Sequence, residues 1–230
     1  MSLAIDVANY TDVPTPSQVQ CLIDNGYSRA VVGCSYGTVA GAQLDAFVAG
    51  GMDVEAYAWI SHPLNTLLIE RALTVIAHRP VTRIWLDAEA DNGGRTPAGV
   101  VADINGAVEY VRKVRSDIRI GIYTGAWWWT PNTGNSQETW GLPLWLANYR
   151  DPGNPLAESE IPGGWTKANV ALWQYAGTVE TCGLNTDRNL IYAEEDEMTP
   201  AQMAELKAYM DMKFIQLIGW VNEQKYIKQK

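Results

Sequence analysis

Two carboxylates separated by one residue, Asp87 and Glu89, close an otherwise apolar run, Ile84-Trp85-Leu86. Alternation along a strand puts both on the same face, with Cα atoms about 7 Å apart from the strand rise. Two acids that close together in a partly desolvated site push their pKa values apart. One then keeps its proton near neutral pH as a general acid while the other stays ionised. Glycosidic bond cleavage requires this pairing: a proton for the leaving oxygen and negative charge beside an oxocarbenium-like centre. Two further acids, Asp6 at the end of the first apolar run and Asp187 at the start of the last, complete a candidate set of four.

The aromatic residues fit a sugar ligand. The chain has ten Trp and eleven Tyr against two Phe, and a core built only for packing would use more Phe. Trp and Tyr join a flat apolar face to a polar handle, which suits stacking on pyranose rings. Tyr36, Tyr57, Trp59, Tyr123, Trp127-Trp128-Trp129, Trp145, Tyr149, Trp173 and Tyr175 fall at or just beyond predicted strand ends, and of these Tyr57, Trp59, Tyr123, Trp127, Tyr149 and Trp173 are the first candidates for substrate contact. Other chemistries find little support. His62 and His78 are the two histidines, no GxSxG elbow is present, and no metal-ligand spacing appears, so neither metal nor cofactor is expected.

These residues must be positioned by a scaffold. Apolar runs over 3–9, 29–36, 54–60, 82–89 and 118–124 predict strands, and the segments between them predict helices. Thr15-Pro16-Ser17-Gln18 and Thr96-Pro97 read as helix starts, with Thr as N-cap and Pro at the first helical position. Continuous apolar strands alternating with helices indicate parallel βαβ units covered on both faces. No GxGxxG or GxxxxGK[ST] follows the first strand, which favours a barrel over a nucleotide-binding sheet. Residues 144–149, 170–175 and 189–192 predict three more strands. The connection 150–167, rich in Pro, Gly and Asp, has no helical period. The fold class expected is α/β: an incomplete (β/α) barrel of about eight strands lacking helices in its second half, with catalytic groups where strands end.

The expected domains are a catalytic barrel over 1–193 and a tail over 194–230. In the tail an acidic run precedes an amphipathic helix with Met203, Leu206, Met210, Phe214, Leu217 and Val221 on one face. That face suits packing on the barrel, self-association or docking to a particle. A net charge of −9 argues against nucleic acid as a partner. No stretch is long and uncharged enough to span a bilayer, and no secretion signal precedes the first strand. The expected location is therefore a host cytoplasm until release, or a virus particle, with action on the bacterial cell wall. Cys21 and Cys34 stand in apolar contexts and read as small core residues. Nothing in the spacing of Cys21, Cys34 and Cys182 suggests a disulfide.

Several segments occur in an order that resembles glycoside hydrolase family 25, the lysozyme-type muramidases common among phage endolysins. They are Ala4-Ile5-Asp6-Val7, Asp87-Ala88-Glu89, Gly121-Ile122-Tyr123-Thr124, Pro143-Leu144-Trp145-Leu146-Ala147-Asn148-Tyr149, Trp173-Gln174-Tyr175 and Asp187-Arg188-Asn189. The resemblance spans roughly residues 3–192. It implies cleavage of the β-1,4 bond between N-acetylmuramic acid and N-acetylglucosamine in bacterial peptidoglycan. Glu89 would be the general acid. Asp87 would stabilise the transition state directly or orient the substrate's 2-acetamido group, and Asp6 and Asp187 would line the cleft. Ala8 and Tyr57-Ala58-Trp59 depart from the residues common in that family. The competing expectations are a non-catalytic glycan-binding or structural phage-particle protein on the same barrel, and a glycosidase acting on chitin or another N-acetylated glycan.

Overall fold

The computed structural model describes residues 2–192 of the chain, so the expected C-terminal amphipathic helix lies outside the described residues. Eight strands close into one barrel in sequence order. They are β1 (Ser2–Val7), β2 (Tyr27–Gly33), β3 (Asp53–Trp59), β4 (Arg83–Asp87), β5 (Arg119–Thr124), β6 (Leu144–Ala147), β7 (Val170–Thr181) and β8 (Leu184–Ile191). Among the described residues five α-helices accompany them: α1 (Pro16–Asp24), α2 (Ala40–Ala49), α3 (Asn65–Ile76), α4 (Pro97–Val114) and α5 (Ala126–Thr133). The α/β barrel expected from the sequence is present. Its helices are missing on one side: 3₁₀ turns and loops connect β6 to β7, and a tight turn connects β7 to β8.

Both predicted helix starts have their physical cause in place. Thr15 caps α1 in a capping box with Gln18, and Thr96 caps α4 by accepting from the Gly99 N–H. In each case Pro fills the first turn, where its missing N–H is no loss. The short helix α5, which sequence periodicity did not disclose, contains Pro131 and ends at Gly134, whose φ of 66° needs the left-handed region that glycine enters freely.

The strands β1 to β7 are parallel, but β8 runs antiparallel to both its neighbours, β7 and β1. The cause is local. Thr181 pairs with Leu184 across the two residues Cys182 and Gly183, both at positive φ (54° and 76°). This is the type I′ geometry that reverses a chain between twisted strands. The turn also carries a correction. Cys21, read from sequence as a core residue, is disulfide-bonded to Cys182 across a separation of 161 residues, pinning α1 to the hairpin tip. Gln18 reinforces the same junction by donating to the Gly183 carbonyl at 3.1 Å. Cys34 is the buried free thiol expected.

Two apolar layers result. One lies between sheet and helices. The other fills the barrel, where Ala4, Val31, Trp85, Tyr123, Trp145, Leu172 and Ile191 meet, with Tyr57 packed against them. Interior rings of this size need space on neighbouring strands, and glycine supplies it. A Cβ on Gly121 would lie 2.2 Å from the Trp85 ring, and one on Gly33 would lie 2.5 Å from Tyr57. Deeper in the barrel, buried Glu55 accepts from Trp85 Nε1 at 2.6 Å and pairs with Arg29 at 3.3 Å. The filled interior leaves the end nearest Asp6 and Asp87 as the place where a ligand can enter.

Candidate active site

Asp6, Asp87, Glu89 and Asp187 all line one cleft of about 400 Å³ at the mouth of the barrel. Asp87 is the last residue of β4, and Glu89 follows two residues on. Asp187 lies within β8, a longer strand than sequence reading drew, and pairs in register with Asp6 of β1. Because β8 is antiparallel, its early residues reach the same end of the barrel as the late residues of β1 and β4. The acids thus converge from three strands.

Burial sets their chemistry. Asp6 and Asp87 are nearly inaccessible, whereas Glu89 and Asp187 are partly exposed. Burial, reinforced by the charge of Asp187, pushes the Asp6 carboxyl from 3.8 up to about 8, although the Asn189 and Gln174 amides oppose the shift. Asp87 is pushed well above the ordinary carboxylate range by burial and then by Glu89 and Asp6. Its Oδ1 is buried without a hydrogen-bond partner from the protein. Glu89 is raised by burial, opposed by the neighbouring Tyr123 hydroxyl. Asp187 is raised by burial, opposed by the Thr178 N–H that donates to its Oδ1 at 2.5 Å. Burial makes all four carboxyls resist ionisation, which favours a proton-bearing group in the cleft and suits acid catalysis.

Polar side chains from the barrel wall hold the acids. Asp6 Oδ2 accepts from Asn189 Nδ2 at 2.7 Å and from Gln174 Nε2 at 3.0 Å. Asn189 is fixed in turn by Trp145 Nε1, which donates to its Oδ1 at 2.7 Å. Gln174 also donates to Asp187 Oδ2 at 3.1 Å and accepts from the hydroxyls of Tyr123 and Tyr149. Across the cleft, Ser35 receives the Trp59 N–H at 2.9 Å and holds the end of β3 in place. Among the described residues no group of three or more His, Cys, Asp or Glu is arranged to hold a metal ion. No described helix is long and apolar enough to cross a membrane.

The candidate substrate contacts divide. Tyr57, Trp59 and Tyr123 line the cleft. Tyr149 stands at its rim, 58% exposed and tied to the wall through Gln174. Trp127 is equally exposed on α5, where its indole covers Gly125 outside the residues that line the cleft. Trp173 does not face the cleft: it is 1% exposed in the layer outside the barrel, with Nε1 donating to the Asn148 carbonyl. Strand alternation is the reason, since Leu172 and Gln174 face inward and their neighbour must face outward.

The cleft also contains residues not among the sequence candidates. Asn9 and Tyr10 come from the loop after β1, and Ser35 and Tyr36 from the loop after β2. Trp145 and Gln174 come from β6 and β7. Gln174 had a usable signal, a lone amide in a buried strand. Tyr36 was marked by its place at the end of a predicted strand, whereas Tyr10 and Ser35 had no signal, because no periodicity governs them.

Comparison with known proteins agrees with this fold. The model of Glycosyl hydrolases family 25 matches residues 33–184. Probable GH family 25 lysozyme 3 of Dictyostelium discoideum is 24% identical over 197 residues, which are 80% of this chain and 40% of that protein. Probable GH family 25 lysozyme 5 of the same organism is 26% identical over 204 residues, 81% of this chain and 89% of that one. The chain therefore spans less than half of one relative and most of the other. Among solved structures, the glycosyl hydrolase 25 virulence factor GHIP of Streptococcus pneumoniae superposes with a TM-score of 0.60. It is 15% identical, with 87% of this chain and 90% of that chain covered, and the likeness is one of fold.

Proposed function

The chain belongs to glycosyl hydrolases family 25, and from that premise we propose that it is a lysozyme. As an N-acetylmuramidase it cleaves the β-1,4 bond between N-acetylmuramic acid and N-acetylglucosamine of bacterial peptidoglycan. The observation that carries this reading is the pairing of Glu89 with a buried Asp87 whose Oδ1 lacks a protein partner. A buried acceptor without a partner is costly, and the N–H of a substrate acetamido group would satisfy it.

In this mechanism Glu89 gives its proton to the glycosidic oxygen as the bond to the anomeric carbon breaks. The acetamido carbonyl oxygen, aimed by the hydrogen bond from its N–H to Asp87, closes on the anomeric carbon and takes up the developing positive charge. Such substrate assistance is a known departure from the two-carboxylate scheme. Water, giving a proton to the Glu89 carboxylate, then opens the cyclic intermediate and restores the acid. Asp6 and Asp187 hold the wall of the cleft. Tyr57, Trp59, Tyr123 and Tyr149 supply faces and hydroxyls for the sugar rings.

The Cys21–Cys182 bridge supports a site of action outside the reducing cytoplasm, in keeping with a cell-wall substrate. The test is product release from purified peptidoglycan and from chitin. The reading predicts soluble muropeptides with new N-acetylmuramic reducing ends from peptidoglycan. Release from chitin alone would assign a different N-acetylated glycan, and binding without new reducing ends would rule out turnover.

A further inference from the structure

Gln174 uses the whole hydrogen-bonding capacity of its side chain. Nε2 donates to Asp6 Oδ2 at 3.0 Å and to Asp187 Oδ2 at 3.1 Å. Oε1 accepts the hydroxyl protons of Tyr123 at 2.8 Å and Tyr149 at 3.0 Å. A carboxamide has two donors on its nitrogen and two lone pairs on its oxygen. Reversing it would set that oxygen against two carboxyls, so Asp6 and Asp187 fix which way it faces. The side chain is buried, and water does not replace a bond it loses.

A phenol has a single proton to donate. Tyr123 gives that proton to Gln174 Oε1, with the Glu89 carboxyl in the same cleft as the competing acceptor. When that hydrogen lies on Gln174, the Tyr123 oxygen offers Glu89 only lone pairs. Those lone pairs accept from a protonated carboxyl and repel an ionised one. We propose that Gln174 is a positioning residue: by taking the protons of Tyr123 and Tyr149 it leaves both phenol oxygens to the cleft as acceptors and withholds the Tyr123 proton from Glu89. The inference rests on the reading of Glu89 as general acid.

Tyr149, exposed at the rim, then meets the ligand as an acceptor, selecting a sugar hydroxyl or amide N–H. Other groups also act on Glu89: Asp6 of β1, Tyr10 in the loop beyond it, Asp87 at the end of β4, Tyr149 after β6 and Asp187 of β8. All are acidic or phenolic. The test must therefore separate the Tyr123 proton from a general change in the field of the carboxyls.

Gln174→Met removes both sets of bonds while keeping the length of the side chain. Tyr123 is then free to donate to Glu89, which stabilises the ionised form. The alkaline limb of kcat on purified peptidoglycan should move down by roughly one pH unit, with a smaller change in KM. In a Tyr123→Phe background the same substitution should move that limb by less than half as much. A uniform loss of kcat across the pH range, or a shift that persists undiminished without the Tyr123 hydroxyl, overturns the proposal.

A second measurement does not depend on the folding of the Gln174 variant. Infrared difference spectra of wild type against Glu89→Gln at neutral pH should show a protonated, hydrogen-bonded Glu89 carboxyl. An ionised Glu89 there overturns the proposal as well. A wild-type protein that releases no reducing ends fails the glycosidase reading instead, a result the infrared measurement leaves distinct.

Discussion

Replacing Asp6 with Asn tests the electrostatics of the cleft through stability rather than turnover. The folded protein holds this carboxyl at about 8 against 3.8 for the free side chain, mainly through burial. A carboxyl raised on folding stabilises the native state fully below its unfolded pKa. That contribution is lost as pH rises through the folded value. Within the window between them each pH unit removes about 1.4 kcal/mol. From about pH 5 to pH 8 the loss is therefore on the order of 4 kcal/mol as an upper figure, shared with Asp187, whose charge contributes to the shift. For a domain of this size each kcal/mol moves Tm by about 2–4 °C.

The carboxamide introduced by Asp6→Asn can keep its carbonyl oxygen where Asp6 Oδ2 accepts from Asn189 and Gln174, so the wall of the cleft is preserved. Thermal unfolding followed by circular dichroism across that pH range should show wild-type Tm falling by roughly 10 °C. The variant should fall much less and be the more stable of the two at the alkaline end. Parallel Tm curves for the two proteins would refute the claim that Asp6 is held neutral by burial.

Other consequences are open to measurement. Replacing Cys21 and Cys182 together with Ser releases a loop of 161 residues and should cost about 2–5 kcal/mol in chemical denaturation; an unchanged midpoint would contradict the bridge. Trp173→Ala empties a site in the outer core and should cost about 3–5 kcal/mol, with little change in KM at temperatures where the protein stays folded. Tyr149→Ala should do the reverse, raising KM while leaving stability within about 1 kcal/mol. An exchange of these two phenotypes would show that placing Trp173 in the outer core and Tyr149 at the cleft rim is wrong.

The parts legible from sequence were those that local chemistry specifies. Apolar runs alternating with capped helices follow from the need to bury both faces of parallel strands, and acids at the ends of such runs stand out because a packed core rejects them. Asp6, Asp87 and Glu89 were found this way. The direction of β8 was not, because it depends on the two-residue turn at Cys182 and Gly183, in the segment between two predicted strands. The disulfide was hidden for a related reason: Cys21 and Cys182 become neighbours only after the barrel closes. Trp173 was assigned to the wrong side because its type suggested sugar stacking, while the alternation of Leu172 and Gln174 already turned it outward. Tyr10 occupies a loop, where neither period nor propensity marks a residue as part of a cleft.

The central claim is that Glu89 delivers the proton that breaks a peptidoglycan glycosidic bond. Its most direct test is the rate of new reducing ends from purified peptidoglycan by wild type and by Glu89→Gln, compared at a pH where both are folded. The expected result is a loss of about 10²–10⁴-fold with the fold intact by circular dichroism. A variant within a few-fold of wild type would contradict it.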